Sequence, residues 1–312
     1  MKLQISVIFL VLAFASCQDN TKKTIAATIN SPEINYLIEV ADFSKIAKEP
    51  NITILDFRKS ESYQKEHLEG AINIWRTDLE NPSFPYGGMM APAAQIEKLF
   101  SRLGIKNGNT LVIYDDNGLC DSARLWWVLQ NYDYTNVKLL HGGIEAWKAH
   151  KGSVTKDTIA VLKSDFKLPK NPSMKYTLSK EEMLAAIDQK TIILDTRSVD
   201  EYSGKRHKKG AFKGGRIPKS KFVDWANAID YHGGKKIKPL KELESIYTKH
   251  LPSVNDTIFV YCHSGVRSAH TTFVLTQLLQ YKNVKNYDGS WIEWSSMNEY
   301  PFEKDSITTI IN

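Results

Sequence analysis

One short loop that begins with a cysteine is the segment of this chain best suited to chemistry. Its sequence is Tyr261-Cys262-His263-Ser264-Gly265-Val266-Arg267, after an apolar run and before a helical pattern. Backbone N–H groups point into such a loop and the start of the helix adds positive charge, so the cysteine favours its thiolate form. Arg267 adds a formal charge, and Gly265 permits the tight turn because it has no Cβ. We predict that Cys262 is a nucleophile that attacks sulfur and holds it as a persulfide. The alternative is a buried strand-end cysteine that only packs.

The chain contains an internal duplication, and this loop lies in the second copy. The segment from Ile54 to Arg58 recurs from Ile193 to Arg197, and matches between Tyr114 and Trp147 recur between Tyr261 and Trp294. The matches that begin at Tyr114 are further apart along the chain than those that begin at Ile54. The second copy therefore carries an insertion between Arg197 and Tyr261. The repeat is too long for a solenoid unit, and 312 residues suffice for two ordinary domains. We therefore predict two homologous domains.

Each copy alternates strand-like and helix-like segments. The predicted strands are 51–57, 110–114, 137–140, 191–195, 257–261 and 284–287, and the predicted helices are 123–132 and 269–280. Strands alternating with helices pair in parallel, which predicts an α/β fold in which each domain is a parallel sheet flanked by helices. We assign residues 34–155 to the first domain, 156–173 to a linker and 174–312 to the second domain.

The first copy of the loop lacks the nucleophile. Asp115 stands where the second copy has Cys262, and an aspartate cannot carry sulfur. Cys120 lies in the same loop but aligns with Arg267, so we expect it to have an incidental role. The first domain is therefore predicted to be catalytically silent. Three cysteines in all, the third being Cys17, do not make a disulfide framework.

The N-terminal residues are typical of an export signal. Lys2 precedes an apolar run from Leu3 to Ala15, which is shorter than the roughly 20 residues that span a bilayer. The run ends in Phe14-Ala15-Ser16-Cys17, which resembles a bacterial lipobox with Cys17 as the lipid attachment site. Ordinary cleavage after Ala15 is the alternative. Both predict an exported protein, periplasmic or a cell-envelope lipoprotein, with residues 1–17 as the signal and 18–33 as a flexible tether. Membrane contact is expected only through the N-terminal lipid.

The net charge of the chain excludes few functions, but many of its basic residues lie in one stretch. A formal charge of +6 is mild for this length and does not indicate nucleic-acid binding. Between Gly204 and Lys221, within the insertion, there is no acidic residue, and the basic residues are Lys205, Arg206, Lys208, Lys209, Lys213, Arg216, Lys219 and Lys221. This basic stretch is either a solvated loop or a funnel for anions beside the active site.

Taken together, these motifs resemble the tandem rhodaneses, which include thiosulfate and 3-mercaptopyruvate sulfurtransferases. The resemblance rests on the two copies, the Asp-x-Arg strand ends, the silent first loop and the Cys262–Arg267 segment. It also rests on 286–294, which is similar to the family's terminal signature, and on 67–71 and 215–218, which are similar to its His-Ile-Pro-Gly-Ala motif. It covers roughly Asn35 to Glu303.

The resemblance implies roles for individual residues. Cys262 would form the persulfide, and the substrate-binding anion cradle would consist of His263, Ser264, Gly265, Val266 and Arg267. His67 would either complete a polar relay with Ser264 or cap local structure. Arg206 or a neighbour in the basic stretch would contact the substrate. Asp195 and Arg197 would form a supporting ion pair. No metal or organic cofactor is implied, and the partners would be a small anionic sulfur donor and a thiophilic acceptor.

Two features bear on the identity of the donor. Ser264 favours 3-mercaptopyruvate as the donor, whereas Arg267 and Glu201 oppose it. Glu201 replaces a substrate-binding arginine of the animal enzymes. Thiosulfate is therefore the first expectation, with cyanide or another thiophile as acceptor. Phosphatase chemistry is a weaker alternative, because phosphate-binding loops place five residues between Cys and Arg and only four separate Cys262 from Arg267. A non-catalytic envelope binding module is the remaining alternative.

Overall fold

A computed structural model describes residues 36–305 of the chain, and the signal, the tether and Cys17 lie outside this range. The described part contains fourteen strands. They are β1 Leu37–Ile38, β2 Ile52–Asp56, β3 His67–Leu68, β4 Ile72–Asn73, β5 Thr110–Tyr114, β6 Val137–Leu140, β7 Val154–Thr155, β8 Thr177–Leu178, β9 Ile192–Asp195, β10 Lys221–Phe222, β11 Ile229–Asp230, β12 Lys236–Ile237, β13 Thr257–Tyr261 and β14 Asn283–Tyr287.

Ten α-helices alternate with these strands in the described part. They are α1 Val40–Ile46, α2 Ser60–Lys65, α3 Ala93–Arg102, α4 Cys120–Asn131, α5 Gly143–Ala149, α6 Lys180–Ala186, α7 Val199–Ser203, α8 Leu240–Tyr247, α9 Val266–Phe273 and α10 Ser290–Trp294. Short 3-10 helices occupy Arg76–Leu79 and Trp225–Ala228, and a π-helix at Val274–Leu278 continues α9.

Two five-stranded parallel sheets form the framework, one in each half. The first has the strand order β1-β6-β5-β2-β4 and the second β8-β14-β13-β9-β10, so each strand of one sheet has a counterpart in the other. In both sheets the strand that ends in Asp pairs with the strand that leads into the loop, with Asp56 opposite Tyr114 and Asp195 opposite Tyr261. The predicted fold of two parallel-sheet α/β domains is confirmed.

In each sheet the parallel strands end on the same side, and the loop that follows the central strand, β5 or β13, lies at that edge. β5 and β13 are central and mostly buried, as expected for strands covered by helices on both faces. Each leads through a loop into a helix, α4 or α9, and these two helices pack against each other. Every residue of α4 is buried, so it lies between the halves rather than on the surface. The two loops therefore meet at the domain interface.

Both predicted loop helices begin earlier than expected. The patterns gave starts at residues 123 and 269, whereas α4 begins at Cys120 and α9 at Val266. In each case the preceding residue has a left-handed backbone, with φ of 66° at Leu119 and 76° at Gly265, and this turns the loop directly into the helix. The first turns of both helices are polar, so apolar periodicity did not indicate where the helices begin.

The predicted linker is anchored to the first domain, whereas residues 205–210 of the basic stretch are exposed. The basic stretch forms the connection between α7 and β10. In the segment predicted as a linker, Phe166 is buried against Phe100 of α3, and the main chain of Ser164 donates to Ser101 O at 2.9 Å. No helix between residues 36 and 305 is long and apolar enough to cross a membrane.

Candidate active site

The cysteine loop is held from behind by a serine at the start of α10. The N–H groups of Cys262 and Gly265 both donate to Ser290 Oγ at 3.1 Å, and that hydroxyl donates to Tyr287 O at 2.7 Å. Sequence reasoning did not single out Ser290, because its partners lie more than twenty residues away. Its hydroxyl fixes both ends of the turn.

The first turn of α10 also binds the carbonyl groups of the loop. The amide of Trp291 donates to Cys262 O at 3.0 Å and the amide of Ile292 donates to His263 O at 2.9 Å. With these two carbonyls bound to α10, the amides of Ser264 and Ser268 donate to the sulfur of Cys262. The loop is therefore a preformed nest of donors.

The sulfur of Cys262 lies at the floor of this nest. The residue is 1% exposed, while His263, Ser264 and Arg267 above it are partly exposed. Burial alone would raise the pKa of the thiol, but the charge of Arg267 and hydrogen bonds from Ser268 and the Ser264 amide outweigh it and lower the pKa. These contacts favour the thiolate relative to that of an ordinary buried cysteine.

Arg267 is paired with Glu201, the residue that stands where the animal enzymes have a substrate-binding arginine. Its Nη1 and Nη2 donate to the two carboxylate oxygens of Glu201 at 2.7 and 2.8 Å. Glu201 is 1% exposed. Burial would raise its pKa, but the bidentate pair with Arg267 lowers it to about 2. The positive charge beside the thiolate is thus fixed in place and largely balanced.

Other charged side chains surround the sulfur at longer range. Burial and the charge of Arg267 lower the pKa of His263 to about 4, so its ring is neutral at neutral pH. The ammonium group of Lys208 interacts with Arg267, Glu201 and Cys262. Arg206, which the sequence suggested for substrate contact, is exposed, and its main-chain N–H donates to Asp200 O at 3.0 Å. Lys208 therefore links the basic stretch electrostatically to the Cys262 loop.

The first domain contributes to the site although its own loop has Asp115 in place of Cys262. Arg76 is paired with Asp121, and its charge interacts with that of Cys262. Gly88 has φ of 100°, and a Cβ there would lie 2.7 Å from Ser264 Cβ, so only glycine allows this close approach. The sequence analysis missed this contact, and the adjacent pair Gly87-Gly88 is the signal that could have indicated it.

Asp195 and Arg197 lie beneath the site as a buried ion pair. Arg197 Nη2 is 2.6 Å from Asp195 Oδ2 and 2.7 Å from Gly215 O, and its guanidinium stacks over Trp291. The first domain repeats the arrangement at its own Asp-x-Arg segment, where the Arg–Asp distance is also 2.6 Å. Both pairs join a strand end to the chain that follows it, which is a structural role.

His67 is placed in the first domain, where it contacts the main chain and not Ser264. Its Nδ1 is 2.8 Å from Tyr63 O and its Nε2 is 3.1 Å from Asp157 O, and the ring stacks on Tyr63. Both ring nitrogens are therefore engaged locally on β3. Of the two alternatives for His67, these contacts favour the support of local structure over the polar relay.

The silent loop holds a carboxylate where the second domain has sulfur. Asp115 accepts hydrogen bonds from the amides of Asn117, Leu119, Asp121 and Ser122 at 2.8–3.0 Å. Cys120 in the same loop is buried, and burial together with Asp121 raises the pKa of its thiol well above the usual value. No cluster of His, Cys, Asp and Glu within residues 36–305 is suited to hold a metal.

Fold and site define a tandem α/β protein with an activated cysteine in a loop of amides. The profile of the rhodanese-like domain matches residues 39–150 and 179–297. The chain belongs to the rhodanese-like domain family. It is 35% identical over 253 residues to a Mycolicibacterium smegmatis protein named "Putative thiosulfate sulfurtransferase", covering 78% of this chain and 88% of that one. A Mycobacterium tuberculosis protein of the same name is 35% identical over 275 residues, covering 82% and 93%.

Solved structures share the fold at lower identity. SseA from Escherichia coli, described as a 3-mercaptopyruvate sulfotransferase with the rhodanese fold, has a TM-score of 0.73 at 22% identity, covering 82% of this chain and 99% of that one. An anaerobic ergothioneine biosynthesis enzyme from Chlorobium limicola has a TM-score of 0.75 at 20% identity, covering 88% and 72%. Family membership and the names of the sequence relatives support sulfurtransferase activity.

Proposed function

We propose that this protein transfers sulfane sulfur from thiosulfate to cyanide or another thiophilic acceptor through a persulfide on Cys262. The thiolate attacks the outer sulfur of thiosulfate, the S–S bond of the donor breaks, and sulfite leaves with the bonding electron pair. The acceptor then attacks the terminal sulfur of the persulfide, which returns the thiolate; with cyanide the product is thiocyanate. Charge and atoms balance in both steps, and neither step needs a redox partner.

The observation that carries this proposal is the convergence of donors on one sulfur. The amides of Ser264 and Ser268 and the charge of Arg267 lower the pKa of the Cys262 thiol despite burial. The same donors suit a persulfide, which carries its charge one atom further out. Backbone amides are fixed before the reaction, so they stabilise the sulfur anion without reorganisation.

Lys208 is our candidate for binding the anionic end of the donor. Within residues 36–305, Arg76, Arg197 and Arg267 each have a carboxylate partner, whereas Lys208 makes no ion pair. Lys208 is exposed, and its charge interacts with that of Cys262. A sulfonate group approaching the loop would therefore find its uncompensated positive charge there.

The second candidate donor is 3-mercaptopyruvate. Ser264 is the residue that favours it, and Ser264 is partly exposed above the sulfur. The neutral His263 and the balanced Arg267–Glu201 pair leave Lys208 as the same anchor for a carboxylate. The two donors therefore compete for one site and have to be separated by rate.

Intact-mass analysis tests the proposed reaction. The purified protein is incubated with thiosulfate or with 3-mercaptopyruvate, and we expect the mass of one sulfur to be gained faster with thiosulfate. The Cys262→Ala variant should gain none. Faster loading from 3-mercaptopyruvate would assign the second donor, and loading that persists in Cys262→Ala would refute the nucleophile.

Two lysine variants test the anchor. Lys208→Met should raise KM for thiosulfate about tenfold or less, as expected for one partly solvated charge contact, with a smaller effect on kcat. Lys209→Met is the matched control, since Lys209 is an exposed neighbour in the same stretch. Equal effects of the two substitutions would show that only the general charge of the basic stretch matters.

A further inference from the structure

One arginine of the silent domain reaches across the interface to the catalytic loop. Arg124 lies on α4 and is 3% exposed. Its Nη1 donates to Asp288 Oδ1 at 2.6 Å and lies 3.4 Å from Gly265 O, while its Nη2 donates to Gly88 O at 2.5 Å. A single side chain therefore joins the catalytic loop, the residue Asp288 behind it and a loop of the first domain.

The contact falls on the turn that shapes the nest. Gly265 has the left-handed backbone that starts α9, and its carbonyl also accepts from Asn286 Nδ2 at 3.1 Å. A Cβ on Gly265 would lie 2.6 Å from Asp288 Oδ1, so this carboxylate packs directly against the turn. The position of Asp288 therefore restricts the position of the loop.

Asp288 is itself held by the first domain. Its second carboxylate oxygen accepts the main-chain N–H of Met90 at 2.7 Å, and its first is paired with Arg124. Asp288 is 7% exposed, so without Arg124 a buried negative charge would retain one amide donor and lose its cation. Such a carboxylate would move toward other donors or toward water, and the turn at Gly265 would move with it.

We propose that Arg124 is a positioning residue which the silent domain supplies to the Cys262 nest. By fixing Asp288 and the carbonyl of Gly265, it keeps the amides of Ser264 and Ser268 directed at the sulfur. This inference rests on the proposed persulfide chemistry for its effect on rate, but its effect on the thiol is independent of any donor. It also gives the silent domain a role in the reaction of the other domain.

The test compares Arg124→Lys and Arg124→Met in the full chain. The pH dependence of Cys262 alkylation by iodoacetamide is followed by peptide mass, together with sulfur loading from thiosulfate and the thermal unfolding midpoint. We expect both variants to alkylate with a midpoint at higher pH and, at pH values below that midpoint, to load sulfur up to about tenfold more slowly for each unit by which the thiol pKa rises. Lysine keeps the charge and the fold but cannot reach three acceptors, so it remains informative if the Met variant does not fold.

Arg102→Met serves as the matched control, because Arg102 is an exposed arginine of the same domain. Unchanged alkylation and loading in a folded Arg124→Lys protein would overturn the inference. If the wild-type protein loads no sulfur from any donor, the proposed function fails, while the alkylation midpoints still decide whether Arg124 positions the nest.

Discussion

Replacing Glu201 by glutamine should lower stability and raise reactivity at the same time. The pKa of Glu201 is lowered from 4.5 to about 2 by its pairing with Arg267. Since one unit of pKa difference corresponds to about 1.4 kcal/mol, the ionised carboxylate stabilises the folded protein by about 3 kcal/mol at neutral pH. Glu201→Gln should lose most of this, because a neutral amide accepts from Arg267 without the charge.

The pH dependence of this loss has a defined sign. A carboxylate whose pKa is lowered by folding stabilises the protein above its unfolded pKa, and that contribution disappears as pH falls toward its folded pKa. The difference between wild type and Glu201→Gln should therefore be full at pH 7. It should shrink progressively between about pH 5 and about pH 2.

Urea unfolding at several pH values measures this difference, with Glu49→Gln as the exposed control expected to change stability by less than about 0.5 kcal/mol. In the same variant Arg267 loses its balancing charge, so the pKa of Cys262 should fall further and loading from an anionic donor should become faster. A Glu201→Gln deficit that is the same at pH 3 and pH 7 would refute the electrostatic reasoning. Slower loading would show that the pair is needed to orient Arg267.

Two further predictions concern the other cysteines. Cys120→Ser should leave sulfur transfer unchanged, and Cys120 should resist iodoacetamide at neutral pH because the pKa of its buried thiol is raised; peptide mass and activity measure this, and loss of transfer would give Cys120 a role. We also propose that the chain is exported and lipidated, so that Cys17→Ser should abolish incorporation of labelled fatty acid and release the protein from the membrane fraction. Equal labelling of the two proteins would contradict the lipoprotein assignment.

Features that lie within one continuous segment were predictable from the sequence. The loop from Cys262 to Arg267 carries its proposed nucleophile, its glycine and its closing arginine in six consecutive residues. The duplication then gave the fold, because each copy contained the same alternation of apolar strands and helices. The starts of α4 and α9 were missed where polar residues form the first turn.

The side chains that complete the site come from separate segments of the chain, and no local sequence pattern predicts that they meet. Glu201 was noticed only as a departure from a family motif, and its pairing with Arg267 depends on how α7 packs beside the loop. Arg124 is one of several polar residues near the start of α4, and the sequence does not indicate its partner Asp288, which lies in the other domain. The motif around His67 suggested chemistry, whereas tertiary contacts direct both of its nitrogens to carbonyl groups.

The carboxylate of Asp115, enclosed by four amides, has a consequence for the catalytic domain as well. A loop of this shape directs several amides toward one central group, so it suits a group there that accepts hydrogen bonds. In the first half the acceptor is the Asp115 carboxyl, which is in place as soon as the chain folds, although burial and Asp121 raise its pKa to about 6. In the second half the acceptor is a sulfur that can be chemically capped, and a cap that accepts fewer hydrogen bonds would weaken the contacts of the loop amides as well as block turnover.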